Sequence, residues 1–144
     1  MKKRRKNRPK DSVSLLKEKL WKVFSLYIRR KNADDLGYVE CATCLRTYLW
    51  TEMQAGHWLG GHHNSVMFNE LNVHPQCYYC NITLKSNPQE YWLFMEKKHG
   101  RKVMEVLLKK NKELKQFKPY ELNEMIEDYS DRLVSLDMKE AEND

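Results

Sequence analysis

Apolar residues recur every three or four positions near both ends of the chain, and this spacing predicts an amphipathic helix at each end. The first helix begins after Asp11 or Ser12, either of which can cap it, and runs to about residue 31. Its apolar face is formed by Val13, Leu16, Leu20, Val23 and Tyr27, widened by Leu15, Trp21, Phe24 and Ile28. The last helix presents Leu122, Met125, Ile126, Tyr129, Leu133 and Leu136 at the same spacing. Beyond residue 137 the chain is acidic, and we expect this end to be frayed.

The centre of the chain contains short apolar runs, which are typical of strands rather than long helices. Residues 38–40 lead into a first cysteine pair, and strands are predicted at 46–50 and 54–59. A long polar turn over residues 60–65 follows, and residues 68–73 then return the chain to a second cysteine pair.

After the second pair the pattern is helical. Asn81 or Thr83 can start a helix, and Pro88 suits the first turn of another that covers 89–99 and ends at Gly100. A further helix is predicted over 101–117, before the break at Pro119. Its apolar face is formed by Val103, Val106, Leu107 and Leu114.

These elements predict an α+β chain in four segments. Residues 1–10 form a disordered basic arm, and 11–35 form the N-terminal helix. Residues 36–100 form a metal-stabilised core, and 101–144 form the C-terminal helices with the acidic tail. No run of about 18 apolar residues occurs, which argues against a membrane partner.

All four cysteines lie in two C-x-x-C pairs, Cys41/Cys44 and Cys77/Cys80. Two residues between cysteines let one tight turn aim both sulfurs at one ion, and two such turns complete a tetrahedral zinc site. The alternatives are two disulfides or a redox motif. The chain begins with no recognisable signal peptide, and a redox motif needs no second pair, so structural Zn²⁺ is the favoured prediction.

The net charge of +6 is concentrated at the N-terminus, because the first ten residues contain seven of the 26 Lys and Arg and no acid. Such an arm can contact DNA phosphates, giving affinity without sequence specificity. A solubilising tail or a nuclear-import signal are the alternatives. The predicted DNA-binding residues are Lys2, Lys3, Arg4, Arg5, Lys6, Arg8 and Lys10, together with Lys85.

Three polar residues stand in register with the cysteine pairs: His57, Asn72 and Asn81, with a Gly60-Gly61 turn between the first two. This order resembles the zinc-stapled HNH nucleases, and its closing C-x-x-C-Asn unit is similar to endonuclease VII-type junction resolvases. The resemblance implies a small ββα-metal centre, flanked here by the N-terminal helix and the C-terminal helical region.

A closer resemblance, from Cys41 to about Gly100, is to the NinG/Rap recombination nucleases of phage lambda. The stretches that carry it are Ala55-Gly56-His57, Met67 to Cys77 (MFNELNVHPQC), Cys80-Asn81, Lys85-Ser86-Asn87 and Glu90-Tyr91. It implies a structure-specific endonuclease that cuts branched DNA such as Holliday junctions, D-loops and flaps. It also implies a phage or prophage protein in the bacterial cytoplasm, with no small-molecule substrate.

The chemistry of such a site can be assigned to particular residues. Imidazole, which titrates at about pH 6.5, is a suitable base at neutral pH, so His57 is predicted to activate water. Asn81 can offer a carbonyl oxygen to a catalytic Mg²⁺ or Mn²⁺, with His57 and His74 as further candidate ligands. Asn72 is expected to bridge backbone groups and fix the His57 loop. His57, Asn72, Asn81 and His74 thus form the predicted catalytic set.

One position departs from the wider HNH pattern, in which Asp often precedes the catalytic histidine as a metal ligand. Here that position is Gly56, although the NinG/Rap motif itself has Ala-Gly-His. Residues that could replace the missing ligand are His62, His63, His74, Glu90 and Glu105. His62 and His63 could instead touch DNA or be solvated, and His99 is expected to provide a favourable charge at a helix end.

Two other functions fit parts of the pattern. A zinc ribbon without catalysis could bind nucleic acid through the basic arm, but it would not require the three polar residues in register. A sequence-specific HNH endonuclease would need an additional recognition domain, for which the chain has little room. A homodimer is also predicted, because the apolar faces of the first and last helices exceed what a small zinc core requires.

Overall fold

The computed structural model describes residues 9, 12–60 and 63–144. The basic residues of the predicted arm, together with Gly61 and His62, lie outside the described residues. Within the described part of the chain, no helix combines the length and apolarity needed to span a membrane.

Helix α1 covers Val13–Arg30, as the apolar spacing predicts. Ser12 caps it, because its hydroxyl oxygen accepts a hydrogen bond of 3.3 Å from the Leu15 amide. The residues of α1 that are buried recur every fourth position: Leu16, Leu20, Phe24 and Ile28. One face of α1 is therefore buried along its whole length.

The described residues form two antiparallel two-stranded sheets. Strand β1 (Tyr38–Glu40) pairs with β2 (Thr47–Leu49), and a short 3₁₀ helix follows at Trp50–Glu52. Strand β3 (Gln54–His57) pairs with β4 (Val73–Gln76).

Short helix α2 (Asn64–Met67) interrupts the connection between β3 and β4, so the predicted polar turn over 60–65 is too long. Asn64 explains the early start of this helix. Its side chain accepts from Lys17 at 2.6 Å and donates to the Lys115 carbonyl at 2.9 Å, which fixes the chain there.

A π-helical turn, Tyr79–Thr83, includes Cys80 of the second cysteine pair, so Asn81 lies inside this turn rather than at the start of a helix. Helix α3 covers Pro88–Lys98, as predicted. Helix α4 covers Arg101–Asn111, six residues shorter at its C-terminal end than the predicted 101–117.

The early end of α4 has a packing reason. Phe117 packs against Phe68, with ring centroids 5.7 Å apart, and the chain must leave the helix to bring it there. Leu114 lies in this connecting stretch and is fully exposed, so its predicted place on an apolar helix face is wrong.

Helix α5 covers Pro119–Asn143, and its acidic end remains helical rather than frayed. Arg30 at the end of α1 accounts for this, because its guanidinium contacts Asp137 at 2.7 Å and Glu140 at 3.0 Å. The end of α5 is thus tied to α1 by charge.

The apolar faces of α1 and α5 pack against each other within one chain. Phe24 and Tyr129 meet edge to face at 5.0 Å, and Leu122 belongs to the same buried cluster as the apolar face of α1. The two apolar faces on which the homodimer prediction was based are therefore already buried within one chain. The homodimer stays a prediction, but these faces no longer support it. The same cluster includes Ala55 and Val73, so α1 and α5 also support the β3–β4 hairpin.

Candidate metal centre and active site

The four cysteine sulfurs lie within 4.8 Å of one another. The Cys44 and Cys77 sulfurs are 3.8 Å apart, and the edge of a ZnS₄ tetrahedron with bonds of about 2.3 Å is about 3.8 Å. Among the described residues this is the one cluster of at least three His, Cys, Asp or Glu able to hold a metal ion. The donor set fits structural zinc.

The two knuckles that present these sulfurs are built by the strands beside them. Cys41 follows β1 directly, and its turn back toward β2 needs the left-handed backbone of Leu45, at φ 64°. Cys77 follows β4 directly. A hydrogen bond of 2.9 Å from the Ala42 amide to the Pro75 carbonyl joins the first knuckle to β4.

The Cys41 thiol loses its proton more readily than an ordinary cysteine thiol. Burial disfavours the Cys41 thiolate, but donors from Cys44, Thr43 and Cys77 outweigh it and lower the pKa of Cys41 to about 6. The Cys77 amide donates to this sulfur at 3.3 Å. Burial and the neighbouring Cys41 thiolate raise the pKa of Cys44 to about 12. A bound Zn²⁺ would instead favour the Cys44 thiolate, because metal ligation deprotonates thiols and releases their protons.

His57 ends strand β3, and two contacts fix its ring. Its Nε2 lies 2.9 Å from the Met67 carbonyl oxygen, and the ring stacks on Trp21 with centroids 5.1 Å apart. A carbonyl oxygen only accepts, so Nε2 carries the proton and Nδ1 is the basic nitrogen of the neutral ring. This tautomer is the one that a general base acting through Nδ1 requires.

His57 and Asn81 line the same open cleft of about 510 Å³. Lys85 and Ser86 lie on its rim, so a positive charge stands beside the two predicted catalytic residues. The other residues that line it are Trp21, Ala55, Trp58, Gly60 and Pro88. The fold thus brings His57 and Asn81, which are 24 positions apart in the sequence, into one cleft.

Asn72 is fully buried and lies outside the cleft lining. Its amide nitrogen donates to the carbonyls of Leu59 (3.1 Å) and Val66 (3.2 Å), and its oxygen accepts from the Leu59 amide at 2.9 Å. It therefore bridges backbone groups of the connection between β3 and β4. This confirms the predicted bridging role of Asn72, whereas its place in the predicted catalytic set needs correction because it does not reach the cleft.

Residues 1–140 match the family described as Bacteriophage Lambda NinG protein. The match covers nearly the whole chain. The chain belongs to the NinG family. No curated protein and no solved structure matched it. This NinG family phage protein therefore carries a cysteine cluster that could hold zinc, beside a cleft that contains His57 and Asn81.

His74 lies on the opposite side of the hairpin from His57 in this NinG family chain. It pairs with Gly56 in the register, and neighbouring residues of a strand point to opposite faces. Both of its ring nitrogens are also occupied, Nδ1 by the Tyr91 hydroxyl at 2.9 Å and Nε2 by His99 Nε2 at 2.8 Å. The prediction that His74 shares a catalytic ion with His57 and Asn81 is wrong.

His74 has a structural role instead. Burial, with the neighbouring positive charges, lowers its pKa to about 3, so the ring is neutral. The Tyr91 hydroxyl donates to the Gly56 carbonyl at 2.7 Å and therefore accepts from His74 Nδ1. His99 must then donate to His74 Nε2. The hydrogen bonds therefore run from His99 through His74 and Tyr91 to the Gly56 carbonyl, and they support the end of β3 that carries His57. His99 thus takes part in this hydrogen-bond network as well as ending a helix.

The remaining candidates for the missing metal ligand do not line the cleft. His63 is exposed and its Nδ1 lies 2.9 Å from the Asn111 carbonyl oxygen. Glu90 and Glu105 are exposed on α3 and α4, and neither lines the cleft. His62 lies outside the described residues.

The turn that carries Lys85 is strained. Lys85, Ser86 and Asn87 have φ values of 50°, 75° and 49°, in the left-handed region that residues with a Cβ avoid. Each such residue costs about 1–3 kcal/mol, and strain of this kind is typical of functional sites. The fully buried Gln76 holds the turn, since its amide donates to the Ser86 carbonyl at 2.9 Å.

Sequence reasoning missed three residues of this site: Trp21, Gln54 and Gln76. Trp21 was assigned only to an apolar helix face, whereas it also stacks on the His57 ring. Gln54 and Gln76 carry no pattern of their own, and only the register that places them opposite each other reveals them. The signal that could have found Gln54 and Gln76 is the pairing of β3 with β4, which the sequence does not show.

Gly56 leaves no room for a side chain, which yields a first prediction. A Cβ at this position would overlap the Gln76 amide, with Cδ at 2.7 Å, and Gln76 is anchored to Thr43 at 3.1 Å as well as to Ser86. We expect Gly56→Ala to lower the free energy of unfolding by about 1–3 kcal/mol, measured by urea denaturation. Gly60→Ala is the matched control, because a Cβ there meets nothing within 4 Å. Equal stability of the two variants would contradict this packing.

Proposed function

We propose that this chain is a metal-dependent DNA endonuclease of the zinc-stapled HNH type. The observation that carries the proposal is the meeting of His57 and Asn81 in one cleft, beside Lys85. Strands β3 and β4 are followed by the π-helical turn that holds Asn81 and then by α3, an order that supports a ββα-metal centre. The cysteine cluster, which could hold zinc, adjoins the same pair of strands, because Cys77 directly follows β4.

His57 would act as the general base. The Met67 carbonyl holds the Nε2 proton and Trp21 fixes the ring plane, so Nδ1 is presented in one orientation to remove a proton from water. Lys85, exposed on the cleft rim, would hold the DNA phosphate by charge. Asn72 keeps the connection between β3 and β4 in place, and the Tyr91 hydroxyl keeps the end of β3 in place.

The proposed reaction would use a divalent ion such as Mg²⁺ or Mn²⁺, with Asn81 as a protein ligand and the DNA phosphate supplying negative charge. Asn81 supplies an amide oxygen, a ligand that these hard cations accept, and the cleft is open enough to admit a phosphodiester. When bound, the ion would supply positive charge opposite the developing charge on the phosphate.

Branched DNA is the substrate class that we propose, on the strength of the NinG family membership. The test is a panel of labelled duplex, flap, fork and four-way DNA of matched sequence, incubated with the zinc-loaded protein and Mg²⁺ or Mn²⁺. We expect cuts near the branch points and little cutting of the duplex. Cutting of the duplex at one sequence would instead support a sequence-specific HNH nuclease, and binding without cuts would support a zinc-ribbon binding module.

Deleting residues 1–10 should weaken DNA binding and flatten its salt dependence. Each lost phosphate contact should reduce the slope of log K against log salt by about 0.9 on duplex DNA. Cleavage at saturating protein should survive, because the cleft residues all lie outside the arm. Binding titrations at several salt concentrations measure the slope, and an unchanged slope would make the arm a solubility device.

A further inference from the structure

We propose that the exposed face of helix α4 is a second DNA-binding surface, which holds a duplex arm of the substrate by its phosphates. The inference rests on the proposed nuclease function and names the part of the substrate that this face would hold. It gives a role to a helix that contributes no residue to the cysteine cluster or to the lining of the His57 cleft.

Positive charge is concentrated around α4. Residues 97–118 contain nine of the 26 Lys and Arg of the chain and only two acids, Glu105 and Glu113. Their net charge of +7 equals that of residues 1–10. Outside these two segments the chain has ten Lys and Arg and 18 Asp and Glu, so the remainder is acidic. A basic patch on an otherwise acidic chain is typical of a surface that binds a polyanion.

The side of α4 that faces solvent carries this charge. Lys102 and Lys109 are seven residues apart, or about two turns, so they lie on the same side of the helix at a separation of about 10 Å. Met104 and Leu107 are buried on the opposite side. All four Lys and Arg within α4 are exposed. The helix therefore presents positive charge along its whole length.

The stability of α4 accounts for only part of this charge. Lys109 and Lys110 lie in the last turn, where the helix dipole favours cations. Arg101 and Lys102 lie in the first turn, which contains no acid and where the dipole disfavours cations. Binding of a phosphate backbone would explain these two residues, whereas local helix stability does not.

Packing fixes α4 relative to the proposed base. The buried side of α4 belongs to a cluster against which Trp58 packs, and Trp58 lines the same cleft as His57. At the other end of the helix, His63 Nδ1 lies 2.9 Å from the Asn111 carbonyl oxygen. Helix α4 is thus packed on the segment that directly follows His57. DNA held along α4 would keep a fixed position relative to the cleft.

The composition of α4 favours a duplex over a single strand. Proteins that bind single strands stack the bases on aromatic side chains, and α4 contains no aromatic residue. Its lysines are point charges that suit phosphate oxygens, and such contacts position DNA without reading its sequence. A helix of 11 residues is about 16 Å long, which matches about five base pairs of duplex.

Fluorescence anisotropy at several salt concentrations tests this inference by binding alone. The full-length, zinc-loaded protein is titrated onto labelled four-way, duplex and single-stranded DNA of matched sequence, with no added divalent ion. The double variant Lys102→Gln/Lys109→Gln should reduce the slope of log K against log salt by about 1.8 on duplex DNA, since each lost phosphate contact accounts for about 0.9. We expect the same reduction when residues 1–10 are also deleted, and binding to the single strand close to that of the wild type.

Lys19→Gln/Lys139→Gln is the matched control, because it removes the same charge at two other exposed lysines. Lys19 lies on the opposite side of α1 from the cleft residue Trp21, and Lys139 lies near the acidic end of α5. An unchanged slope in the α4 variant, or an equal reduction in the control, would overturn the inference. An equal loss on the single strand would overturn the assignment to a duplex arm.

Failure of the proposed function gives a different result. A protein that binds duplex DNA through α4 but cuts no DNA would keep this surface and lose the nuclease. DNA cleavage that depends on His57, together with a salt slope that does not depend on Lys102 and Lys109, would keep the nuclease and lose this surface.

Discussion

Cys77→Ser is expected to release the zinc and unfold the centre of the chain. The buried cluster at this end consists of Val39, Met53 and three of the four cysteines, so it has little apolar surface besides the metal ligands. The binding free energy of structural zinc in small domains, about 10–16 kcal/mol near neutral pH, is largely folding free energy. Losing one sulfur leaves three, and removes the amide-to-sulfur hydrogen bond that Cys80 makes to Cys77 at 3.5 Å.

Metal analysis and thermal unfolding measure this effect together. We expect one zinc per wild-type chain and a cooperative transition that chelator abolishes, whereas Cys77→Ser should bind less than one equivalent and lose the transition. Tyr78→Ser is the matched control, because it makes the same type of change one residue further on at a side chain that is 60% exposed. Wild-type protein that contains no zinc, or a Cys77→Ser protein that melts like the wild type, would contradict the structural metal.

Removing the His57 imidazole is expected to reduce DNA cleavage on the order of a hundredfold or more, the usual contribution of a general base. His57→Ala also deletes the hydrogen bond to the Met67 carbonyl and the stacking on Trp21, so it carries a stability cost of about 1 kcal/mol besides the chemical one. His57→Gln separates the two effects. Glutamine can keep a donor toward Met67 but has no basic nitrogen.

Single-turnover cleavage with excess protein measures the chemical step. Both His57 variants should lose the same large factor, while DNA binding and thermal stability stay close to wild type in His57→Gln. His63→Ala is the control histidine, since His63 is exposed and does not line the cleft. Near-wild-type cleavage by His57→Gln would transfer the base role to another group.

Local patterns were sufficient for much of this fold. The apolar spacing of α1, a cap at Asp11 or Ser12 and the Pro88 start of α3 all depend on neighbours in the sequence, and each was predicted. The cysteine cluster was also predictable, because two-residue spacing constrains a knuckle regardless of the rest of the chain.

Features that depend on contacts between distant residues were not predictable in this way. His74 looked like a ligand because it stands near Asn72 in the sequence, but the β3–β4 register places it on the other face of the hairpin. The surplus apolar surface of α1 suggested a dimer, yet α5 covers it within the chain. The pairing of Gln54 with Asn81 joins residues 27 positions apart, and no local pattern marks it.

One measurement tests the central claim most directly: single-turnover cleavage of a labelled four-way junction by the zinc-loaded wild-type protein, with Mn²⁺ and without any added divalent ion. The proposed site predicts strand breaks near the branch point that appear only with Mn²⁺, because the proposed chemistry needs a divalent ion to offset the charge that develops on the phosphate. A protein that is folded, contains zinc and binds the junction, but leaves every strand intact with Mn²⁺, would contradict the assignment of this cleft as a nuclease site.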